Sequence, residues 1–228
     1  MINNQSSSGN SLAKTAYKHI YRCIISLDYP PGTSLEEKKL MEELKLGRTP
    51  VREALLRLAA ERLATAIPGK GFVVKELTLQ STRAVFTALK VLELGIAEIA
   101  IQQRTDQQLE ALRQSNQEVK EAVEKQDVLT LVEANHNFHM VYAGCADNEY
   151  LTKALNEVRA EGNRLAYLSY HNRIDPLTTL ARHYKNVINQ HNEIVKAMEK
   201  RNVAQLKQMV NEHIRIFRDR IIAYMTAE

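Results

Sequence analysis

Apolar residues recur along this chain at two periods, and the change of period divides it. Leu12, Ile20, Ile24 and Leu27 fall on one helical face over 12–27. "DYPPGTSL" at 28–35 breaks that pattern with Pro30, Pro31 and Gly32. Ser34 and Glu37 have the spacing of a capping box, which predicts a short second helix turning Leu40, Met41 and Leu44 inward. Pro50 is tolerated only in a first helical turn, so a third helix is predicted to start at 47–50 and to bury Val51, Leu55 and Leu58. Two short β-type runs, 64–67 and 72–75, then flank Pro-Gly-Lys-Gly, the pattern of a hairpin.

From Thr78 the strand signals vanish. The helical period predicts six helices, at about 78–103, 106–125, 128–143, 148–170, 176–200 and 203–225, with short polar breaks between them. Connections that short favour an antiparallel bundle. The fold class expected is mainly α. A winged helix-turn-helix over 11–76 is followed by an all-α six-helix bundle over 77–228, and the polar Ser/Asn-rich start, 1–10, reads as a disordered arm.

Composition narrows the function. The chain of 228 residues is 25% charged and 44% hydrophobic and has no apolar run of membrane-spanning length. The polar start predicts no leader, and two widely spaced cysteines, Cys23 and Cys145, suit a reduced cytoplasmic protein. Residues 1–75 hold 12 Lys/Arg against 7 Asp/Glu, whereas 76–228 hold 19 against 20. The basic excess therefore belongs to the first third, where it points to a polyanion.

That third has the parts of a DNA reader. A major groove admits one helix, whose N-terminal residues reach base edges. Arg48 and Arg52 share one face at the entry of the third helix, and Thr49 can donate to a phosphate. The glycines around Lys70 let the hairpin tip approach a phosphate or enter the minor groove. The stretch "PGTSLEEKKLMEELKLGRTPVREALLRLAAERLATAIPGKGFVV" resembles the DNA-binding domain of GntR-type bacterial transcriptional regulators. That resemblance places Lys38, Arg48, Thr49, Arg52 and Gly69 at DNA-contacting positions. Two residues depart from the family: Gly47 stands where Ser or Thr is usual, and Arg62 where glycine is usual.

The bundle carries a second signal. Asn135 and His139 are four residues apart, inside the stripe formed by Val128, Leu131, Phe138 and Tyr142. His191 and His213 lie in the apolar stripes of the last two predicted helices. Buried polar groups need partners, and a shared ion satisfies several imidazoles at once. His19, His136, His171 and His183 do not join the pattern and read as surface or edge residues. The region resembles the FCD effector-binding domain of the FadR-type branch. Metal-binding members of that branch carry D-x-x-x-H on one helix and single histidines on the last two. By that resemblance Asn135, His139, His191 and His213 form a site for a divalent ion, Zn or Ni. Asn135 replaces the usual Asp, a poorer ligand, so a metal-free polar pocket stays open as the alternative. The family's effector-binding arginine falls at Leu89, ahead of Glu93. Arg159 and Arg164, with Tyr142, are the remaining candidates for effector contact, and a carboxylate effector is the default.

A three-histidine site also describes hydrolytic zinc enzymes. That reading needs a general base, and Glu133 lies off the buried face; HExxH, nucleophile-elbow and phosphate-loop motifs are absent. The chain therefore reads as a regulator and not an enzyme. It is expected to be a homodimeric repressor on a palindromic operator, tuned by a small-molecule effector, with no membrane partner.

Overall fold

Helix α1 (Gln5–Ile25) forms around Ala16, Ile20, Ile24 and Ile25, which are buried at helical spacing. The computed structural model describes residues 5–172, 174 and 178–227, with 5–10 as backbone alone. Gln5 to Asn10, expected as part of an arm, continue α1, since a helix anchored by its apolar face propagates through polar residues at little cost. Residues 1–4 of that expected arm lie outside the described residues. Two members of the expected stripe fall away. Leu12 is 42% exposed, and Leu27 lies past the helix end with φ 65°.

Helices α2 (Glu37–Leu44) and α3 (Arg48–Ala60) follow, with strands β1 (Ser34–Leu35), β2 (Ala64–Ile67) and β3 (Gly71–Val74). The sheet order is β1-β3-β2, antiparallel throughout. The capping box expected from Ser34 and Glu37 does not form. Ser34 is paired with Val73 in the sheet, and the residue capping α2 is Glu36, without a side-chain cap bond. A ladder position fixes Ser34 too early in the chain to reach the helix. Gly47 is the N-cap of α3, in extended backbone. Arg62, where the family's glycine is usual, takes φ 60°. The turn keeps its left-handed backbone and an arginine bears the strain. At the hairpin tip Gly69 and Gly71 have φ 74° and 85°, which glycine adopts freely.

The second compact unit, Thr78–Glu228, is the helical bundle. Its helices are α4 (Leu79–Gln103), α5 (Asp106–Glu124), α6 (Val128–Gly144), α7 (Glu149–His171), α8 (Leu180–Glu199) and α9 (Val203–Thr226). Polar breaks in the sequence become caps. Thr78 with Ser81 and Thr105 with Gln108 form capping boxes, and Asp127, Asn148, Thr179 and Asn202 accept from the first free amides of α6 to α9. The expected start of the fifth bundle helix at Pro176 lies outside the described residues; α8 begins at Leu180. Helix α4 packs on α7 and α9, α5 on α6 and α8, α6 on α7, and α8 on α9. Two arginines tie helix ends together. Buried Arg104 donates to the carbonyls of Met198 and Glu199, and Arg201 donates to the carbonyl of Ile101. No described helix is long and apolar enough to cross a membrane.

Candidate functional site

In the first unit the candidate DNA-contacting residues lie on α2, α3 and the hairpin tip. Arg48, Thr49, Arg52 and Lys38 are exposed, as are Gly69 and Lys70 at the hairpin tip. The two arginines are not free. Arg48 Nε lies 2.9 Å from Glu37 Oε2, and Arg52 Nη1 lies 3.2 Å from Glu37 Oε1. One carboxylate on α2 therefore pairs with both arginines of α3. Both guanidinium groups keep unused donors for guanine or phosphate.

In the second unit three helices converge. His139 on α6, His191 on α8 and His213 on α9 are all buried, and one ligand nitrogen from each lies within 4.8 Å of the others. Phe138 stacks on His191 at 3.8 Å between ring centroids and meets His139 edge-on at 5.3 Å, which locks two of the three rings. The Nε2 atoms of His139 and His191 and the Oδ1 of Asn135 are buried without a hydrogen-bond partner among the described residues. Orphaned buried acceptors are rare and call for a ligand. Two imidazoles and one amide oxygen with that defect, beside a third imidazole, fit a divalent cation.

The outer nitrogens explain the defect. Nδ1 of His191 lies 3.1 Å from Asn116 Oδ1, Nδ1 of His213 lies 2.8 Å from Gln190 Oε1, and Nδ1 of His139 lies 3.3 Å from Glu93 Oε2. Asn116 gives its own amide protons to Asn192 Oδ1, so its oxygen is the acceptor for His191. Each acceptor fixes the proton on Nδ1 and leaves Nε2 as a lone pair, the arrangement that metal-bound histidines use. Burial pushes all three imidazoles below their usual range, His213 to about 4, so they stay neutral well below pH 6.5. Glu93 and Arg159 are both buried and form an ion pair through Oε1.

Beside the triad lies an enclosed cavity of about 20 Å³, room for about one water molecule. Asn135, Arg159, His213, Ser169, His183 and Phe217 are among the residues that line it. Of the three candidate effector contacts, Arg159 is in this wall. Arg164 and Tyr142 are not: both are buried in the bundle, and the Tyr142 hydroxyl is committed to the carbonyl of Glu93. His183, read from sequence as an edge residue, is buried against Ser169 Oγ at 3.2 Å. Its signal was present, since His183, Val187 and His191 are spaced by four. Asn116 and Gln190 carried no such signal, because their role depends on which helices become neighbours.

Comparisons with known proteins cover both units. The family model described as "Bacterial regulatory proteins, gntR family" matches residues 12–74, and that of the FCD domain matches 84–216. The HTH-type transcriptional repressor RspR of Escherichia coli K12 is 26% identical over 198 residues, covering 87% of this chain and 83% of that protein. The Nta operon transcriptional regulator of Aminobacter aminovorans is 31% identical over 134 residues, 59% of this chain and 63% of that one. Among solved structures, E. coli McbR/YncC superposes with a TM-score of 0.77 at 21% identity, covering 95% of this chain and 99% of its own. A putative GntR transcriptional regulator from Rhodococcus sp. RHA1 gives 0.73 at 19% identity, covering 93% and 98%.

Proposed function

This chain belongs to the GntR family of bacterial regulatory proteins and carries an FCD domain, which makes it a DNA-binding transcriptional regulator and not an enzyme, and we propose that a small molecule, held beside a metal ion in the bundle, sets its affinity for a palindromic operator. It works as a cytoplasmic homodimer. One winged unit reads a few base pairs, and two-fold symmetry doubles the contact. Arg48 and Arg52 contact bases and phosphates, with Lys38 and Thr49 on the backbone. Gly69 and Lys70 bring the hairpin tip to the minor groove or a phosphate. Repression is the direction favoured, in line with the relative named a repressor.

The observation that carries the ligand reading is the set of orphaned atoms, Asn135 Oδ1, His139 Nε2 and His191 Nε2, converging with His213. These four residues would hold Zn or Ni. When bound, the ion supplies a Lewis-acid anchor for an oxygen of the effector. Arg159, in the cavity wall, supplies a cation for a carboxylate. A molecule larger than water needs the cavity to widen, and that widening is where effector binding distinguishes one arrangement of the bundle from another. Operator affinity then changes by the effector's differential binding to the two arrangements.

A metal-free pocket is the second reading, favoured by the neutral amide of Asn135 where the family has a carboxylate. The two separate in one experiment. Protein purified without chelator or metal-affinity resin is analysed for metals, then screened by thermal shift against small carboxylates and sugar acids, with and without zinc or nickel. Co-purifying metal and metal-dependent shifts support the first reading. Ligand shifts that persist in chelator support the second. If no compound shifts the protein and no metal binds, the ligand-responsive reading falls.

A further inference from the structure

Outside the bundle, one cluster of side chains joins a thiol to an imidazole and a carboxylate. His19 and Cys23 are four residues apart on α1, so they share a face. Sγ of Cys23 lies 3.6 Å from Nε2 of His19. The same Nε2 lies 2.7 Å from Oε1 of Glu43, in the last turn of α2, and the Tyr29 hydroxyl donates to Oε2 of that carboxylate. One ring nitrogen therefore faces two partners. It can give one proton or offer one lone pair, and hydrogen bonding alone serves only one of them well. A metal ion at that nitrogen serves both. The spacing fits. Zinc bonds of about 2.3 Å to sulfur and about 2.0–2.1 Å to nitrogen, in a tetrahedron, set the two ligand atoms about 3.6 Å apart. Sulfur and nitrogen already stand at that separation. Glu43 has to back off from the imidazole and swing over the ion, which a half-exposed side chain does by rotation.

We propose that Cys23, His19 and Glu43 form a second metal site, in the winged unit, for a borderline divalent ion of the zinc type. A thiolate beside an imidazole selects such ions over magnesium or calcium. Charge supports the assignment. The thiolate and the Glu43 carboxylate carry two negative charges, which balance a dication, and Asp28 is close enough for its charge to act on the same thiol. The ion takes the lone pair of Nε2 and displaces the thiol proton to solvent. His19 and Glu43 are both half-exposed, so the ion has a route in. Tyr29, donating to the second carboxylate oxygen, steadies Glu43 from outside. The ion ties α1 to α2, the helix that carries Glu37 and Lys38. This site is independent of the bundle triad, whose ligands include no sulfur.

The test is a cobalt(II) titration of the full chain, tag-free, reduced and stripped of metal, read as thiolate-to-cobalt charge-transfer absorption in the near ultraviolet. The bundle triad offers nitrogen and oxygen alone and gives no such band, so the two sites separate in one titration. The wild-type chain should show the band, and added zinc should remove it by displacement. Cys23→Ser should abolish it. A direct ligand counts for at least as much as an outer contact, so His19→Gln and Glu43→Gln should each weaken cobalt at this site by about tenfold or more. Cys145→Ala should keep the band, since that thiol is buried in the bundle and bonded to the Val141 carbonyl. Circular dichroism and urea midpoints without metal check that each variant folds. No thiolate band in the wild-type chain at excess cobalt overturns the site and leaves the triad reading untouched. A band that survives Cys23→Ser, or that either His19→Gln or Glu43→Gln leaves at wild-type affinity, overturns it too.

Discussion

Asn116 on α5 holds His191 on α8: its amide oxygen lies 3.1 Å from Nδ1 of the imidazole, with both side chains buried. The contact fixes the ring's tautomer and its rotation, and so aims Nε2 at the other two histidines. Outer contacts of this type are worth about 10–100-fold in metal affinity. Asn116→Ala is expected to lower zinc affinity by about that factor while costing the fold only about 1–3 kcal/mol for the stranded partner. Zinc competition and urea denaturation report the two effects separately. Unchanged zinc affinity would show that Phe138, stacked on the same ring, orients it alone.

Glu37 bridges Arg48 and Arg52 through one donor of each, so its carboxylate competes with any DNA that uses the two arginines. Arg52→Ala should weaken operator binding by about 1–3 kcal/mol and leave the fold intact. Glu37→Gln frees both side chains and removes a charge facing the phosphates. Its binding to random duplex should rise while the ratio of specific to random binding falls. Lys70→Ala should weaken all sequences alike and lower the salt slope by about one. Electrophoretic shift titrations on an operator selected from random DNA, at several salt concentrations, measure all three. An Arg52→Ala protein that binds like wild type would remove α3 from the groove.

The sequence showed the two units, the helices and the triad for one reason: each is written locally. Periodicity marks the helices, and a histidine in an apolar stripe marks itself as buried. What it hid depends on neighbours across the fold. Strand β1 is two residues long, too short for any period, and forms because β3 offers an edge to Ser34 and Leu35. The Glu93–Arg159 pair joins α4 to α7 across 66 positions, and nothing near either residue announces the other. Tyr142 was legible as buried but not as spent, because its partner is a backbone carbonyl on α4.

Acid should destabilise the bundle before its carboxylates titrate. Burial, reinforced by Arg220, pushes His183 down to about 4. In the unfolded chain the same group titrates near 6.5. The folded value is the lower one, so the unfolded state binds the extra proton between these pH values. Stability is full above about 6.5 and falls as pH drops toward about 4. Urea denaturation in chelator at pH 7.5, 6 and 5 should show the decline, and His183→Gln should make it shallower, the remaining slope coming from the other buried histidines. A slope identical in the variant would mean that His183 is reached by solvent in the native state.

Phe138 allows a last separation, between packing and ligand geometry. Its side chain is fully buried, stacked on His191 and edge-on to His139. Phe138→Ala removes a large core side chain and should cost about 3–5 kcal/mol, by lost burial and by the cavity left behind. The same change releases two of the three rings of the histidine triad, so zinc affinity should fall as well. The two losses are linked but distinct. Zinc that binds the folded chain would stabilise it by an amount set by its affinity. If the triad keeps its geometry, saturating zinc restores Phe138→Ala by as much as it stabilises wild type. If the rings depend on Phe138 for their aim, the zinc-induced rise in denaturation midpoint should be smaller in the variant. We expect the smaller rise. An equal rise would assign orientation to Asn116 and Glu93 alone and leave Phe138 as packing.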